Sequence, residues 1–170
     1  PYILATIKVL SSFGFDVEVK RTRDNEFESF KIKGNQVNPG KIGFPVPGDM
    51  SSGASLICAT LASDGEVTLS NLGKEDFPQP DASILGVAEK FGGRITRVDK
   101  DLAIKKDGKI PQKSFILDLG DSPDLVPPIA GLAAATGSRV KIVNVGHLRF
   151  KESDRISTIS RELQKLGIVV

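Results

Sequence analysis

The chain repeats a pattern of its own sequence at a nearly constant interval, and this repeat restricts the possible folds more than any other feature. Gly48 and Gly120 each open an apolar segment that ends before a second glycine, Gly65 or Gly137, and the two pairs have the same separation. A large apolar residue followed by glycine, a common helix ending, occurs three times: Phe13-Gly14, Phe91-Gly92 and Leu166-Gly167. Repeats of this kind indicate several similar supersecondary units.

The order of helical and alternating segments defines the repeating unit. Pairs of strands are predicted after the first two of these glycines, at 15–19 with 29–33 and at 94–98 with 101–105. Asn25 and Asp99 lie at the turns between the strands. The two Ala-rich helices are apolar nearly all round, which is typical of helices enclosed by other elements. The sequence therefore predicts an α+β fold built from βαβαββ units.

The repeat also divides the chain into predicted domains. Residues 1–42 are the tail of one unit, residues 43–110 a complete unit and residues 111–170 most of a further unit. The glycines and prolines of 34–47 indicate a linker. The chain starts inside a helical pattern at Pro1 and stops where a strand is predicted to begin, at 167–170. We therefore expect it to be part of a longer polypeptide.

Composition argues against several classes of protein. The 170 residues carry a net charge of only +2 and no tryptophan, so a nucleic-acid-binding surface is not expected. One cysteine, Cys58, and one histidine, His147, exclude an internal disulfide and a Cys- or His-rich metal site. Cys58 is predicted to be a core residue. No apolar run is long enough to span a membrane and no signal peptide opens the chain, so we expect a cytoplasmic protein.

The segment 148–156, Leu-Arg-Phe-Lys-Glu-Ser-Asp-Arg-Ile, concentrates charge at the start of a helix. The helix is indicated by apolar residues at spacings of three and four: Ile156, Ile159, Leu163 and Leu166. Ser153 or Asp154 is the predicted cap. Lys151 and Arg155 then lie beside the positive end of the helix, where two cations suit a phosphate or carboxylate. The alternative interpretation is a solvated, charged helix start.

Three motifs resemble those of a known family, the 5-enolpyruvylshikimate-3-phosphate synthases or 3-phosphoshikimate 1-carboxyvinyltransferases. Residues 148–155 resemble the family signature, residues 48–54 resemble its Gly-Asp-x-Ser-Ser-Ala segment, and residues 122–127 resemble its Pro-Asp segment. Pro1-Tyr2-Ile3 matches the residues that follow a Ser-Lys pair in the family. The resemblance runs in one register over the whole chain. It implies βαβαββ units with helices inside and sheets outside, in two domains that close over the substrates.

The resemblance also implies a reaction. Members of the family join the enolpyruvyl group of phosphoenolpyruvate to the 5-hydroxyl of shikimate 3-phosphate and release phosphate, through a tetrahedral intermediate. By resemblance, Asp124 is the base near the shikimate hydroxyls, and Glu152 donates a proton to the enolpyruvyl carbon. These roles have structural alternatives: Asp124 could cap a helix, and Glu152 could only pair with Arg149 or Arg155. Arg149 and the cap residue Asp49 are expected to be structural.

Substrate-binding residues follow from the same resemblance. Lys151 and His147 are expected to bind shikimate 3-phosphate, although many relatives have Asn at the position of His147. Arg155 is expected to bind phosphoenolpyruvate, and Tyr2 to face the shikimate pocket. No metal or organic cofactor is implied. The expected partners are the two substrates and the rest of the polypeptide, with no nucleic acid and no membrane.

Two other functions are compatible with the pattern. The sister family of UDP-N-acetylglucosamine enolpyruvyl transferases shares the fold and mechanism, but the Lys-Glu-Ser-Asp-Arg run argues against it. A non-enzymatic βαβαββ module that binds an anion or RNA is the alternative from another class. Several motifs of the family's complete site have no match in the chain. We therefore expect about half of a site and no catalysis by the chain alone.

Overall fold

The computed structural model of the chain describes residues 2–37, 40, 43–73, 77–110 and 114–170. These residues form two compact units. The first comprises the described residues up to 47 together with 77–79, and the second comprises 48–73, 80–110 and 114–170. Parts of the predicted linker and of the predicted domain boundaries lie outside the described residues, so those boundaries stay a prediction.

The first unit is one helix followed by a hairpin: α1 (Tyr2–Ser12), β1 (Val17–Arg21) and β2 (Phe27–Ile32). The two strands pair antiparallel, with Val17 opposite Ile32. Asn25 adopts a left-handed φ of 63° in the connecting turn, a conformation that Asn tolerates better than most residues. The predicted helix, strand pair and turn are confirmed in this unit.

In its described residues the second unit contains nine helices and strands: α2 (Met50–Ala62), β3 (Glu66–Leu69), α3 (Ile84–Lys90), β4 (Gly93–Val98), β5 (Asp101–Lys106), β6 (Ser114–Asp118), α4 (Val126–Thr136), β7 (Arg139–Val143) and α5 (Arg155–Lys165). β5 pairs antiparallel with both β3 and β4 in a three-stranded sheet. β6 and β7 pair in parallel and are joined through α4. The predicted mixed α and β fold is confirmed.

Helices α2 and α4 pack against each other in the core of the second unit. Ile57 of α2 and Ile129 of α4 have no exposed surface, and each full burial of such a side chain stabilises the fold by about 1.5–3 kcal/mol. Cys58 is also buried, as predicted, and burial raises the pKa of its thiol to about 12. The prediction that these helices are enclosed all round is wrong in part, because Leu56 is 54% exposed.

Backbone geometry supports the sequence repeat independently. The three glycines that follow a large apolar residue, Gly14, Gly92 and Gly167, have nearly identical left-handed φ angles of 77°, 78° and 79°. At the first and last of them the next residue makes the same helix-ending hydrogen bond. Phe15 N donates to Leu10 O at 3.0 Å, and Ile168 N donates to Leu163 O at 3.1 Å. This is the Schellman ending that glycine favours.

The strand predicted to begin at 167–170 is not formed. Residues 168–170 have no regular secondary structure, and residues 43–49, most of which belong to the predicted linker, form no strand either. Pro45 and Pro47 disfavour a strand in the second of these segments, because proline has no N–H to donate to a sheet. None of the helices formed by the described residues combines the length and the apolar character needed to span a bilayer.

Candidate functional site

The parallel pair β6 and β7 brings two loops to one edge of its sheet. Asp118, the last residue of β6, lies opposite Val143, the last residue of β7. The loop after β6 carries Asp124 in a 3-10 turn, Pro123–Leu125. The loop after β7 carries the charged segment that precedes α5. Because parallel strands end at the same edge, residues far apart in sequence become neighbours there.

Arg155 connects the two loops. Its Nη1 donates to Asp124 Oδ1 at 2.6 Å, and its Nη2 donates to Glu152 Oε2 at 3.1 Å. The side chain of Arg155 is 27% exposed, whereas that of Glu152 is 80% exposed. The structure therefore brings together three of the residues that the sequence analysis selected. It places a guanidinium group between two carboxylates, with solvent access on the Glu152 side.

Asp154 fixes the start of α5. Its Oδ1 accepts from Ser157 N at 3.0 Å, which makes Asp154, and not Ser153, the cap of the helix. Arg149 Nη1 donates to Asp154 Oδ2 at 2.9 Å and to Ser157 Oγ at 3.2 Å. Arg149 therefore supports the cap, as expected of a structural residue. The capping places Arg155 as the first residue of the helix, beside its free amides.

The charges of the site act on each other. Glu152 has a lowered pKa, because its own backbone N–H, the Arg155 hydrogen bond and the nearby positive charges all favour its carboxylate form. The two carboxylates, Asp124 first, raise the pKa of the Arg155 guanidinium. At neutral pH Arg155 is therefore positively charged and Glu152 is a carboxylate.

The other predicted binding residues are exposed. Lys151 and His147 lie on the loop between β7 and α5, His147 within the 3-10 turn Gly146–Phe150. In the part of the chain that the structure describes, Lys151 has no carboxylate within 4.0 Å, although its charge reaches Glu152. Tyr2 is an exposed residue of α1 in the first unit. The roles of these three residues stay predictions.

Asp124 does not cap a helix. The side chain of Asp124 bonds Arg155, and the 3-10 turn and α4 that follow have no side-chain cap. The capping alternative for Asp124 is therefore wrong. At the start of α2, in contrast, Asp49 accepts from the amides of Ser51 and Ser52, as expected of a cap.

Sequence reasoning missed a buried carboxyl close to this site. Asp81, in the 3-10 turn Pro80–Ser83, is only 1% exposed, and its Oδ2 accepts from Ser51 Oγ. Its Oδ1 has no partner among the described residues. Burial raises the pKa of Asp81, and the charges of Asp124 and Asp49 raise it further, while the Ser51 bond opposes them. No motif marks Asp81 in the sequence.

The residues of the site suit an organic anion better than a metal. Within the described ranges, no group of three or more His, Cys, Asp or Glu side chains is placed to hold a metal ion. Arg155 and the exposed Lys151 supply fixed cations, and Asp124 and Glu152 can exchange protons with a hydroxyl or a carbon. Such a set can bind a phosphorylated ligand and move a proton on it.

Comparison with known proteins identifies the family. A family model described as EPSP synthase (3-phosphoshikimate 1-carboxyvinyltransferase) matches residues 1–170. The chain belongs to this family. EPSP synthase family membership confirms the resemblance carried by the three sequence motifs, and the mixed α and β fold agrees with it.

Relatives in the EPSP synthase family are similar over the whole chain. Three of them are named 3-phosphoshikimate 1-carboxyvinyltransferase. That of Methanosphaera stadtmanae is 34% identical over 170 residues, that of Nitrosopumilus maritimus 37% over 171, and that of Pyrococcus abyssi 38% over 172. Each match covers 100% of the chain but only 39%, 38% and 38% of the relative. The chain therefore spans less than half the length of these relatives.

Proposed function

We propose that the chain forms part of an enzyme that transfers the enolpyruvyl group of phosphoenolpyruvate to the 5-hydroxyl of shikimate 3-phosphate and releases phosphate. Family membership supports the reaction, and the placement of Asp124, Glu152 and Arg155 supports the site. The partial coverage of the relatives supports a longer polypeptide as the active form. Its partners are then the two substrates and the rest of that polypeptide, in the cytoplasm.

Asp124 is the proposed base of the addition step. The attacking hydroxyl must lose its proton as its oxygen bonds to the central carbon of phosphoenolpyruvate, while the methylene carbon gains a proton. Asp124 forms an ion pair with Arg155, and a carboxylate held in this way can accept the hydroxyl proton. Arg155 and Lys151 stabilise the anionic groups of the substrates, which include two phosphates and a carboxylate. His147 contacts shikimate 3-phosphate, and the role of Tyr2 stays the expectation of the resemblance.

Glu152 can donate a proton only after its environment changes. The lowered pKa of Glu152 favours the carboxylate, and a carboxylate has no proton to give. An anionic substrate that binds Arg155 competes for the guanidinium that now bonds Glu152. The loss of that bond and the approach of a second negative charge both raise the pKa of Glu152. We therefore propose that phosphoenolpyruvate binding itself converts Glu152 into the proton donor.

An NMR titration of the labelled chain with shikimate 3-phosphate tests the proposal. Saturable shifts are expected at Asp124, His147, Lys151 and Arg155, and the Lys151→Ala variant should lose them. Lys141→Ala is the control, because Lys141 is an exposed lysine on β7. If neither the chain nor the full-length polypeptide shows shifts at millimolar ligand, the assigned substrate is wrong.

A second measurement tests the incomplete site. Phosphate release from phosphoenolpyruvate and shikimate 3-phosphate is expected from the full-length polypeptide and not from the chain alone. Turnover by the isolated chain at the rate of the full-length enzyme would overturn the proposal that half of the site lies elsewhere. Release by neither would contradict the proposed reaction.

A further inference from the structure

A second hydrogen-bonded contact joins the two loops of the site, at the sheet edge where the loops begin. Asn144, the first residue after β7, donates from Nδ2 to Oδ2 of Asp118 at 2.6 Å. Oδ1 of Asp118 accepts from Gly120 N at 3.0 Å. One carboxylate therefore fixes the turn after its own strand and also holds the first residue of the neighbouring loop. Neither Asp118 nor Asn144 belongs to the predicted site.

The backbone at this hydrogen-bonded contact is tightly constrained. Asn144 adopts a left-handed φ of 61°, which few side chains other than Asn tolerate. A Cβ added to Gly120 would lie 3.2 Å from both Cβ and O of Asn144 and 3.3 Å from Oδ1 of Asp118. The two loops therefore approach closely at a glycine on one side and a left-handed asparagine on the other.

The sequence repeat supplies an internal comparison. Gly48 corresponds to Gly120, and Asn71 follows β3 with a φ of 63°, as Asn144 follows β7. In that copy the loops close through a backbone bond, from Gly48 N to Asn71 O at 3.0 Å. The shift that relates Gly120 to Gly48 also relates Asp118 to Val46, which has no carboxylate. The position of Asp118 therefore carries a carboxylate in the copy with Asp124 and Arg155 and an apolar side chain in the other copy, where Asn71 N donates to Asp101 Oδ1 at 3.2 Å.

The geometry points to Asp118 and Asn144 as positioning residues that hold Asp124 and Arg155 at their mutual distance. Asp124 follows Asp118 on the first loop, and Arg155 follows Asn144 on the second. The Arg155 to Asp124 bond of 2.6 Å joins the same two loops farther along. Releasing the loops where they begin lets both groups move apart, and a displacement near 1 Å can cost about 100-fold in rate. This inference rests on the proposed function.

Four variants of the full-length polypeptide test the inference. Asn144→Gly removes the side-chain bond but keeps the left-handed backbone, and Asn71→Gly makes the same change in the other copy. Asn144→Asp places two carboxylates against each other. Combining Asn144→Asp with Asp118→Asn restores a donor and an acceptor in reversed order, while the amide oxygen at position 118 still accepts from Gly120.

Kinetics should separate positioning from a general loss of structure. In the phosphate-release assay, Asn144→Gly is expected to lower kcat/KM by between about 10- and 100-fold and to raise KM for phosphoenolpyruvate, because Arg155 is displaced. A variant that is only less folded would keep its KM. Asn71→Gly should stay within about threefold of the unchanged enzyme. The exchanged pair, Asn144→Asp combined with Asp118→Asn, should recover most of the activity that Asn144→Asp alone loses. Equal kinetics for the two glycine variants, or no recovery in the exchanged pair, overturns the inference.

An activity-independent readout distinguishes this failure from failure of the proposed function. The ¹H–¹⁵N resonances of the Arg155 guanidinium report its bond to Asp124. They should shift in Asn144→Gly, return in the exchanged pair and stay unchanged in Asn71→Gly. If the unchanged polypeptide releases no phosphate but follows this pattern, the reaction is wrong and the positioning role stands. Unchanged Arg155 resonances in Asn144→Gly refute the positioning role whatever the activity.

Discussion

Replacing Arg155 with lysine separates a role in ligand binding from a role in stability. The change keeps the positive charge and removes the planar fork that bonds Asp124 and Glu152 together. The side chains of these carboxylates are 41% and 80% exposed. Ion pairs with such solvent access contribute roughly 0–1 kcal/mol to stability. We therefore expect Arg155→Lys to lower the free energy of unfolding by no more than about 1 kcal/mol.

The expected effect on anion binding is larger. A bound phosphate or carboxylate can use both arms of the fork, and a lysine offers a single charged centre in its place. Losing one hydrogen bond to a charged group costs about 1.5–3 kcal/mol. That corresponds to phosphoenolpyruvate affinity weaker by about 10- to 100-fold. Arg155 therefore should matter far more for the ligand than for the fold.

Both quantities are measured in the full-length polypeptide. Urea unfolding, monitored by circular dichroism, gives the free energy of unfolding, and calorimetric titration gives the affinity for phosphoenolpyruvate. Arg161→Lys is the matched control, because Arg161 lies on the same helix and its ion pair is with its neighbour Glu162, at 3.5 Å. This control should change neither quantity. A loss of more than about 3 kcal/mol in stability, or unchanged affinity in Arg155→Lys, would refute the assignment of Arg155 to ligand binding.

Three further predictions concern the second unit. Burial raises the pKa of Asp81, so the neutral acid stabilises the folded state fully below about pH 3.9. This contribution to the free energy of unfolding is lost as the pH rises through the pKa of Asp81 in the folded state. Asp81→Asn should therefore gain stability relative to the unchanged chain between about pH 4 and pH 7 in urea unfolding, and the opposite slope would contradict this. Gly73→Ala places a Cβ 2.5 Å from Asp101 O and should lower the thermal midpoint. Gly86→Ala is the matched control inside α3: its added Cβ has no neighbouring atom within 4 Å, so it should raise stability by about 0.5–1 kcal/mol. Ile129→Ala should cost about 2–5 kcal/mol in the same unfolding assay, because Ile129 has no exposed surface, and a loss below about 1 kcal/mol would show that the core collapses around it.

The sequence predicted the helices and paired strands well, because their signals are local. The alternation of residues after Gly14 and Gly92 and the apolar spacing after Arg155 each specify one element through its own periodicity. The strand predicted to begin at 167–170 is not formed, because an apolar run alone does not specify the neighbouring strand with which it must pair.

The sequence motifs selected candidate residues for the site but not the contacts between them. Motifs selected Asp124, Glu152 and Arg155, yet the bonds between them depend on β6 and β7 ending at one edge, which no local pattern encodes. Asp81 gave no signal at all, since an isolated aspartate in a proline-containing turn is usually exposed. Its burial results from the packing of three separate segments of the second unit, whose polar atoms meet through Ser51 and Ser122.

The two copies of the repeat use equivalent positions for different purposes. The shift that relates Gly120 to Gly48 also relates Asp124 to Ser52, whose amide and hydroxyl both donate to the cap Asp49. The spacing of the helix-ending glycines Gly92 and Gly167 relates Arg155 to Pro80, which has neither a charge nor an N–H. In the earlier copy these positions therefore serve capping and turn formation, which stabilise the unit. In the later copy α4 begins without a side-chain cap, which leaves the Asp124 carboxylate available to Arg155. The later copy therefore pairs the Asp124 carboxylate with Arg155, where the earlier copy has Ser52 and Pro80.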